Sequence, residues 1–227
     1  MRVTEFANWK GCQAPELPSV KGEHVRIDPA RLPEDADALF EALGGLGNDD
    51  LWRYIPIGPF EDAESLSEGL QAAIARGSWL THLIRDAASN DLLGMASYMR
   101  LRPQAGSVEV GCIMFSKTLQ RTPAATEAMF LMARYVFDEL GYRRYEWKCD
   151  NANEASKSAA LRLGFQFEGI FRQDMVMKGR SRDTAWFSII DKEWPKAKAA
   201  LETWLAPENY GAAGRQRRSL AEIRSSL

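Results

Sequence analysis

One stretch constrains the fold of this chain more than any other: a strand, a short loop and a long amphipathic helix follow one another directly. Val108 to Phe115 reads as a strand and Ser116 to Thr122 as the loop after it. From about Pro123 the period becomes helical, with Met129, Met132, Ala133, Val136, Phe137 and Leu140 on one stripe and Gly141 closing it. A second strand-like segment, Arg144 to Cys149, comes next. The apolar stripe needs a sheet beneath it. A strand, helix, strand order also needs a crossover, right-handed by the usual rule, so the two strands are expected side by side and parallel. The chain is therefore expected to be α/β.

The flanking sequence extends this nucleus. Trp79 to Ile84, Leu92 to Met99 and Val108 to Phe115 predict an antiparallel meander, broken at Ser89-Asn90-Asp91 and at Pro103 to Gly106. Ahead of it stand a short strand at His24 to Ile27 and a helix opened by Pro33-Glu34-Asp35 and ended by Gly44-Gly45. An aromatic- and proline-rich loop from Asn48 to Phe60 and a helix from Asp62 to Arg76 follow. Behind it come a helix from Asn153 to Leu163, strands near Gln166 to Val176 and Ala185 to Ile190, and a helix from Trp194 to Leu205. Residues 1–21 read as an arm pinned by Phe6 and Trp9, residues 22–206 as one domain, and residues 207–227 as a polar tail with Arg215, Arg217 and Arg218.

Composition narrows the functional classes. A chain of 227 residues, 45% hydrophobic and 26% charged, supports one substantial core. The formal net charge of −2 argues against a nucleic-acid binder, and Glu222 beside the short arginine cluster limits any RNA contact to a weak one. Cys12, Cys112 and Cys149 are too scattered for a disulfide framework, and with His24 and His82 alone a metal site is poorly supplied, so no metal is expected. No window approaches the roughly 20 apolar residues of a membrane span. The N-terminus, with charges and Trp9, lacks the apolar run of a signal peptide. A cytoplasmic protein is expected.

The loop before the long helix is a natural anion site. Free N–H groups of a first helical turn and the positive end of its dipole favour a phosphate, and Arg121 adds a permanent charge. Thr122 followed by Pro123 also makes an ordinary N-cap and N1 pair, a purely structural role that the spacing alone does not exclude. On the strand, Glu109 shares a face with Gly111, Ile113 and Phe115, where a buried carboxylate could serve as a base or pair with a surface arginine. Asn153 and Ser156 fit a helix N-cap and its local polarity. Trp52 and Tyr54 fit loop packing as well as substrate contact, and Cys112 and Cys149 read as buried apolar residues.

Gln120-Arg121-Thr122-Pro123-Ala124-Ala125-Thr126-Glu127-Ala128 resembles the acyl-CoA pyrophosphate loop of the GNAT superfamily, whose pattern is Gln/Arg-x-x-Gly-x-Gly/Ala. The resemblance continues through Asn153-x-x-Ser156, Leu163-Gly164-Phe165 and Phe167-Glu168-Gly169-Ile170-Phe171-Arg172. It is closest to the branch containing the RimJ and RimL ribosomal-protein N-terminal acetyltransferases, and Trp52-Arg53-Tyr54-Ile55-Pro56 with Gly58-Pro59 is similar to that branch's acceptor-side loop. One departure is plain: Pro123 stands where the pattern has its first glycine and has no N–H to offer a phosphate. Arg121 is in a position to compensate.

The resemblance implies a mixed, mostly antiparallel sheet of about seven strands flanked by helices. It implies acetyl-CoA or another acyl-CoA, succinyl-CoA included, as cosubstrate and an amine as acceptor, on a protein N-terminus or a small molecule; a homodimer is a further implication. It places the acyl arm where the strand ending at Phe115 and its neighbour splay apart, with Ile113 and Phe115 offering backbone groups, and the phosphates against Gln120, Arg121, Thr122, Ala124, Ala125 and Thr126. Asn153 is implied to contact the pantetheine, Trp52 and Tyr54 the acceptor. Direct transfer in a ternary complex is expected, with Glu109 taking up the amine proton and the Ser156 hydroxyl protonating the leaving thiolate. An α-amine loses its proton about 2.5 pKa units, or about 3.4 kcal/mol, more easily than a lysine and is the easier acceptor. A noncatalytic acyl-CoA-binding module is the alternative that Pro123 keeps open.

Overall fold

The computed structural model describes residues 6–16, 18–212 and 214–227; the start of the expected arm, residues 1–5, lies outside them. The chain runs β1 (Val20–Lys21), β2 (Val25–Pro29), α1 (Ala36–Leu43), a 3-10 segment (Leu46–Trp52), α2 (Ala63–Gly77), β3 (Leu80–Asp86), β4 (Leu92–Arg102) and β5 (Ser107–Phe115). It continues through α3 (Pro123–Arg134), β6 (Arg144–Asp150), α4 (Glu154–Leu163), β7 (Gln166–Met177), β8 (Arg180–Ile190), α5 (Trp194–Leu205) and α6 (Leu220–Ser226). The strands form one 8-stranded sheet in the order β1-β2-β3-β4-β5-β6-β8-β7, against the expected seven. Every neighbouring pair is antiparallel except β5 and β6, which the α3 crossover forces parallel.

Helices cover both faces of the sheet. Leu39 and Leu43 of α1 and Leu66 and Leu70 of α2 are fully or almost fully buried with Leu83, Met95 and Met114, each such side chain contributing about 1.5–3 kcal/mol on burial. On the opposite face the α3 stripe of Ala128, Met132 and Val136 packs with Val25, Ile27, Val108, Val110 and Leu201. The α3 helix widens into a π-helical segment, Tyr135–Glu139, before Gly141 turns the chain at φ 67°. Glu127, also on α3, is buried and accepts the amides of Glu23, His24 and Val25 at 2.7–2.8 Å, fastening the β1–β2 turn to the helix. A Cβ at Gly22 would stand 2.5 Å from that carboxylate, so the turn needs glycine.

Residues near both ends of the chain pack on the domain. The Trp9 indole donates to the Gln104 carbonyl at 2.7 Å, and Arg143 lies over the Phe6 ring at 4.1 Å. Within the expected polar tail, Ser219 and Glu222 form a capping box for α6, which buries Leu220 and Ile223. Arg224 then donates to the Leu161 and Arg162 carbonyls at the end of α4. No helix among the described residues is long and apolar enough to cross a membrane.

Candidate active site

The parallel ladder between β5 and β6 stops early. It joins Ser107–Val110 to Arg144–Trp147, and the strands diverge beyond that point. On its other edge β5 slips register against β4 between Met95 and Ser97, where Cys112 adopts φ 46°, a bulge that bends the strand away from β6. A cleft of about 1260 Å³ occupies the opening. Gly111 to Phe115 form one wall and Trp147 to Asp150 the other. Gln120, Arg121, Thr122, Ala125 and Thr126 line it beyond Phe115, and Leu51, Tyr54, Ile55 and Pro56 line it from the loop before α2.

The loop corner is built as the sequence suggests. Thr122 is the N-cap of α3, its hydroxyl accepting the Ala125 amide at 3.2 Å and donating to the Leu119 carbonyl at 2.6 Å. Pro123 supplies no amide, and among the described residues those of Arg121, Thr122 and Ala124 carry no hydrogen bond. Gln120 spends its side-chain amide on the Phe115 carbonyl at 2.9 Å, holding the loop shut. The methyl of Ala124 turns away, into a small cleft with Glu23 and Asp86. A second cation that sequence reasoning did not single out, Arg162 of α4, reaches Thr126 Oγ1 at 3.0 Å. Free amides at a helix N-terminus between two arginines suit a phosphorylated ligand, so the corner fits the pyrophosphate of an acyl-CoA.

Glu109 sits on the sheet face where its parallel partner Glu146 and, two residues on, Lys148 also point. It is 5% exposed. Arg100 Nε and Lys148 Nζ both bind its Oε2 at 2.9 Å, while Oε1 is turned toward Gly111, 3.1 Å from where a Cβ would stand. Burial pushes the Glu109 carboxyl above its ordinary pKa, and the charges of Lys148 and Arg100 only partly offset it. Lys148 also binds Glu146 Oε2 at 2.8 Å and stands 3.8 Å above the Trp186 ring. Burial would raise Glu146 too, but hydrogen bonds from Lys148 and Arg144 hold it low. The two buried carboxylates thus have environments that push them apart, the arrangement expected where one of them handles a proton.

On the other side of the cleft, Trp147 Nε1 donates to Ser156 Oγ at 2.9 Å. An indole N–H can only donate, so the serine accepts there and its own proton is free to be donated elsewhere, with the Cys149 thiol one partner within reach. The Ser156 amide binds Asn153 Oδ1 at 3.1 Å, so that oxygen caps α4 and the carboxamide NH2 is the part of Asn153 left to meet a ligand. Cys112 lines the cleft, and burial pushes its thiol up to about 12, so it carries almost no thiolate at neutral pH. Burial also raises the Cys149 thiol.

The two expected acceptor aromatics part company. Tyr54 lines the cleft and donates to the Ala152 carbonyl at 3.1 Å. Trp52 does not line it: the side chain is 1% exposed, donates to the Leu43 carbonyl at 2.8 Å and packs on Phe60. Its expected contact with acceptor is corrected to a structural role, because the 3-10 segment turns the indole inward beneath the loop. Ile113, Phe115, Gln120, Arg121, Thr122, Ala125, Thr126, Asn153, Ser156 and Glu109 all line the one cleft.

The acetyltransferase (GNAT) domain family matches residues 24–166. A crystal structure of a GCN5-related N-acetyltransferase from Brucella melitensis superposes with a TM-score of 0.87 at 42% identity, covering 96% of this chain and 99% of that one. The N-acetyltransferase YoaA of Bacillus subtilis, itself uncharacterized, is 28% identical over 160 residues, 69% of this chain and 88% of YoaA. YdaF of the same organism, provisionally named a ribosomal N-acetyltransferase, is 28% identical over 107 residues, 47% of this chain and 58% of YdaF. With a splayed parallel strand pair, a helix N-terminus at its open end and a family match over most of its length, the chain belongs to the GNAT acetyltransferases and is an acyl-CoA-dependent N-acetyltransferase.

Proposed function

We propose that the protein transfers an acetyl or related acyl group from acyl-CoA directly to the α-amine of a protein N-terminus or to a small primary amine, in the manner of the RimJ/RimL-like branch. The observation that carries the mechanism is the placing of two proton-handling groups around one gap: Glu109 on the sheet face with Oε1 outside its ion pairs, and Ser156 across the cleft accepting from Trp147. The acyl-CoA supplies an activated thioester. The unpaired edge of β5 from Gly111 to Phe115 and the corner at Arg121 to Thr126 hold its arm and its phosphates. Glu109 takes up the proton lost as the amine nitrogen forms its bond to the acyl carbon. Ser156 delivers its hydroxyl proton to sulfur as the carbon–sulfur bond breaks. The provisional name of YdaF, a ribosomal N-acetyltransferase, supports an acceptor amine on a protein.

The test is thiol release from acetyl-CoA and succinyl-CoA against N-terminal peptides, polyamines and aminoacyl compounds. Ser156→Ala and Glu109→Gln should each lower kcat about 10²–10⁴-fold, the range of positioned acid–base groups, while CoA affinity is unchanged. Tight CoA binding by the wild type without turnover on any amine would favour a noncatalytic binding module.

A further inference from the structure

The acceptor half of the cleft contains a cation that the chain itself does not neutralise. On the sheet face of Glu109, β6 pairs with β8 so that Lys148 lies opposite Trp186 and Asp150 opposite Thr184, and Arg182 is the next residue of β8 on that face. Arg182 lines the cleft beside Met175. Its Nε donates to Thr184 Oγ1 at 3.2 Å and one Nη makes a weak contact with Met177 Sδ at 3.6 Å. Among the described residues no carboxylate pairs with it. The other cations of this half are committed: Arg100 to Glu109, and Lys148 to Glu109 and Glu146. Asp150, the carboxylate one step away on the same face, turns Oδ1 to the Ala152 amide at 2.9 Å.

The backbone around Arg182 is also fixed against the substrate loop. Lys178 Nζ, in the turn between β7 and β8, donates to the Trp52 carbonyl at 2.8 Å, which ties that turn to the loop carrying Tyr54. Lys178, Arg180 and Arg182 thereby concentrate positive charge at this mouth of a protein whose formal net charge is −2. A guanidinium anchored through Nε, lining a cleft and paired with no carboxylate among the described residues, is arranged to bind an external one or a phosphate.

We infer that Arg182 binds an anionic group on the acceptor, so that the preferred substrates are amines carrying a carboxylate or a phosphate. The inference rests on the acyl-transfer reading above and narrows it. Matched acceptors test it: an amino acid against its amide, and an amino alcohol against its phosphate ester, with wild type, Arg182→Gln and Arg182→Lys. The expected result is a preference of about tenfold or more in kcat/KM, expressed in KM, for the anionic member of at least one pair; the pair that shows it identifies carboxylate or phosphate. Arg182→Gln should erase the preference by lowering kcat/KM for the anionic member far more than for the neutral one, with CoA affinity unchanged, and Arg182→Lys should restore part of it. Equal use of both members of each pair by wild type, or an equal loss on both in Arg182→Gln, overturns the inference. If no amine is turned over although CoA binds, the acyl-transfer reading fails by itself. Calorimetry of the same acceptors on the CoA-loaded protein then decides: tighter binding of the anionic member that disappears in Arg182→Gln upholds the role of Arg182, and indifference to charge overturns it.

Discussion

Replacing Pro123 by alanine should tighten CoA binding. Of the amides in the first turn of α3, the one at position 123 is missing and that of Ala125 is taken by the Thr122 side chain at 3.2 Å, so the corner offers fewer donors than a helix N-terminus ordinarily does. Alanine keeps the helical backbone and adds one N–H directed at the corner. A hydrogen bond to a charged group contributes about 1.5–3 kcal/mol net. The corner is partly open, so the lower end of that range applies, and about 1.4 kcal/mol is a tenfold change in Kd. The same substitution relaxes the unfolded chain and should lower stability by roughly 0.4–1 kcal/mol. Calorimetric titration with CoA and, in parallel, with pantetheine separates the two effects: Pro123→Ala should bind CoA about tenfold more tightly and pantetheine, which has no phosphate, as the wild type does. Unchanged or weaker CoA binding, with only the melting temperature reduced, would refute the placing of the pyrophosphate at this helix end.

Two further outcomes follow from buried groups. Glu109 must be ionised to accept a proton and its pKa lies above the ordinary value, so activity should fall on acidification through that raised pKa rather than through the usual carboxylate range. Arg100 lowers the pKa, so Arg100→Gln should move the acid limb of kcat/KM to higher pH with the same acceptor; a limb that stays put or moves down contradicts Glu109 as the base. In α6, Ile223 is 1% exposed, and Ile223→Ala should cost about 2–5 kcal/mol. At roughly 2–4 °C per kcal/mol, thermal melting should show a drop of about 4–20 °C, whereas a tail merely tethered to the domain would show none.

Much of this fold was legible because local and global signals agree at its centre. The α3 stripe fixed a helix on a sheet, the crossover fixed a parallel pair, and Thr122-Pro123 marked the helix start to the residue. The helix of the tail is legible only locally: Ser219 and Glu222 have the spacing of a capping box and Leu220 and Ile223 that of a buried helical face, signals that the nearby arginines mask in the composition. Trp52 could not be separated from Tyr54 by composition, since which aromatic turns inward depends on the 3-10 geometry of Leu46–Trp52. The surroundings of Glu109 were hidden for another reason. Strand alternation puts Lys148 on one of two faces, but only the register between β5 and β6 says that it is the face of Glu109, and register is a tertiary property. Arg182 enters the cleft through two further registers.

The short ladder between β5 and β6 has a mechanical consequence. Four rungs, Ser107 to Val110 against Arg144 to Trp147, are the whole seam between one half-sheet of five strands and another of three. Load crossing the molecule must pass through that seam or detour through the helices packed across the sheet. An acyl-CoA held in the open part of the seam as proposed, bonded to the free edge of β5 and flanked by β6, would act as a brace between the halves. Stiffness of the scaffold and occupancy of that site would then be one property of this molecule.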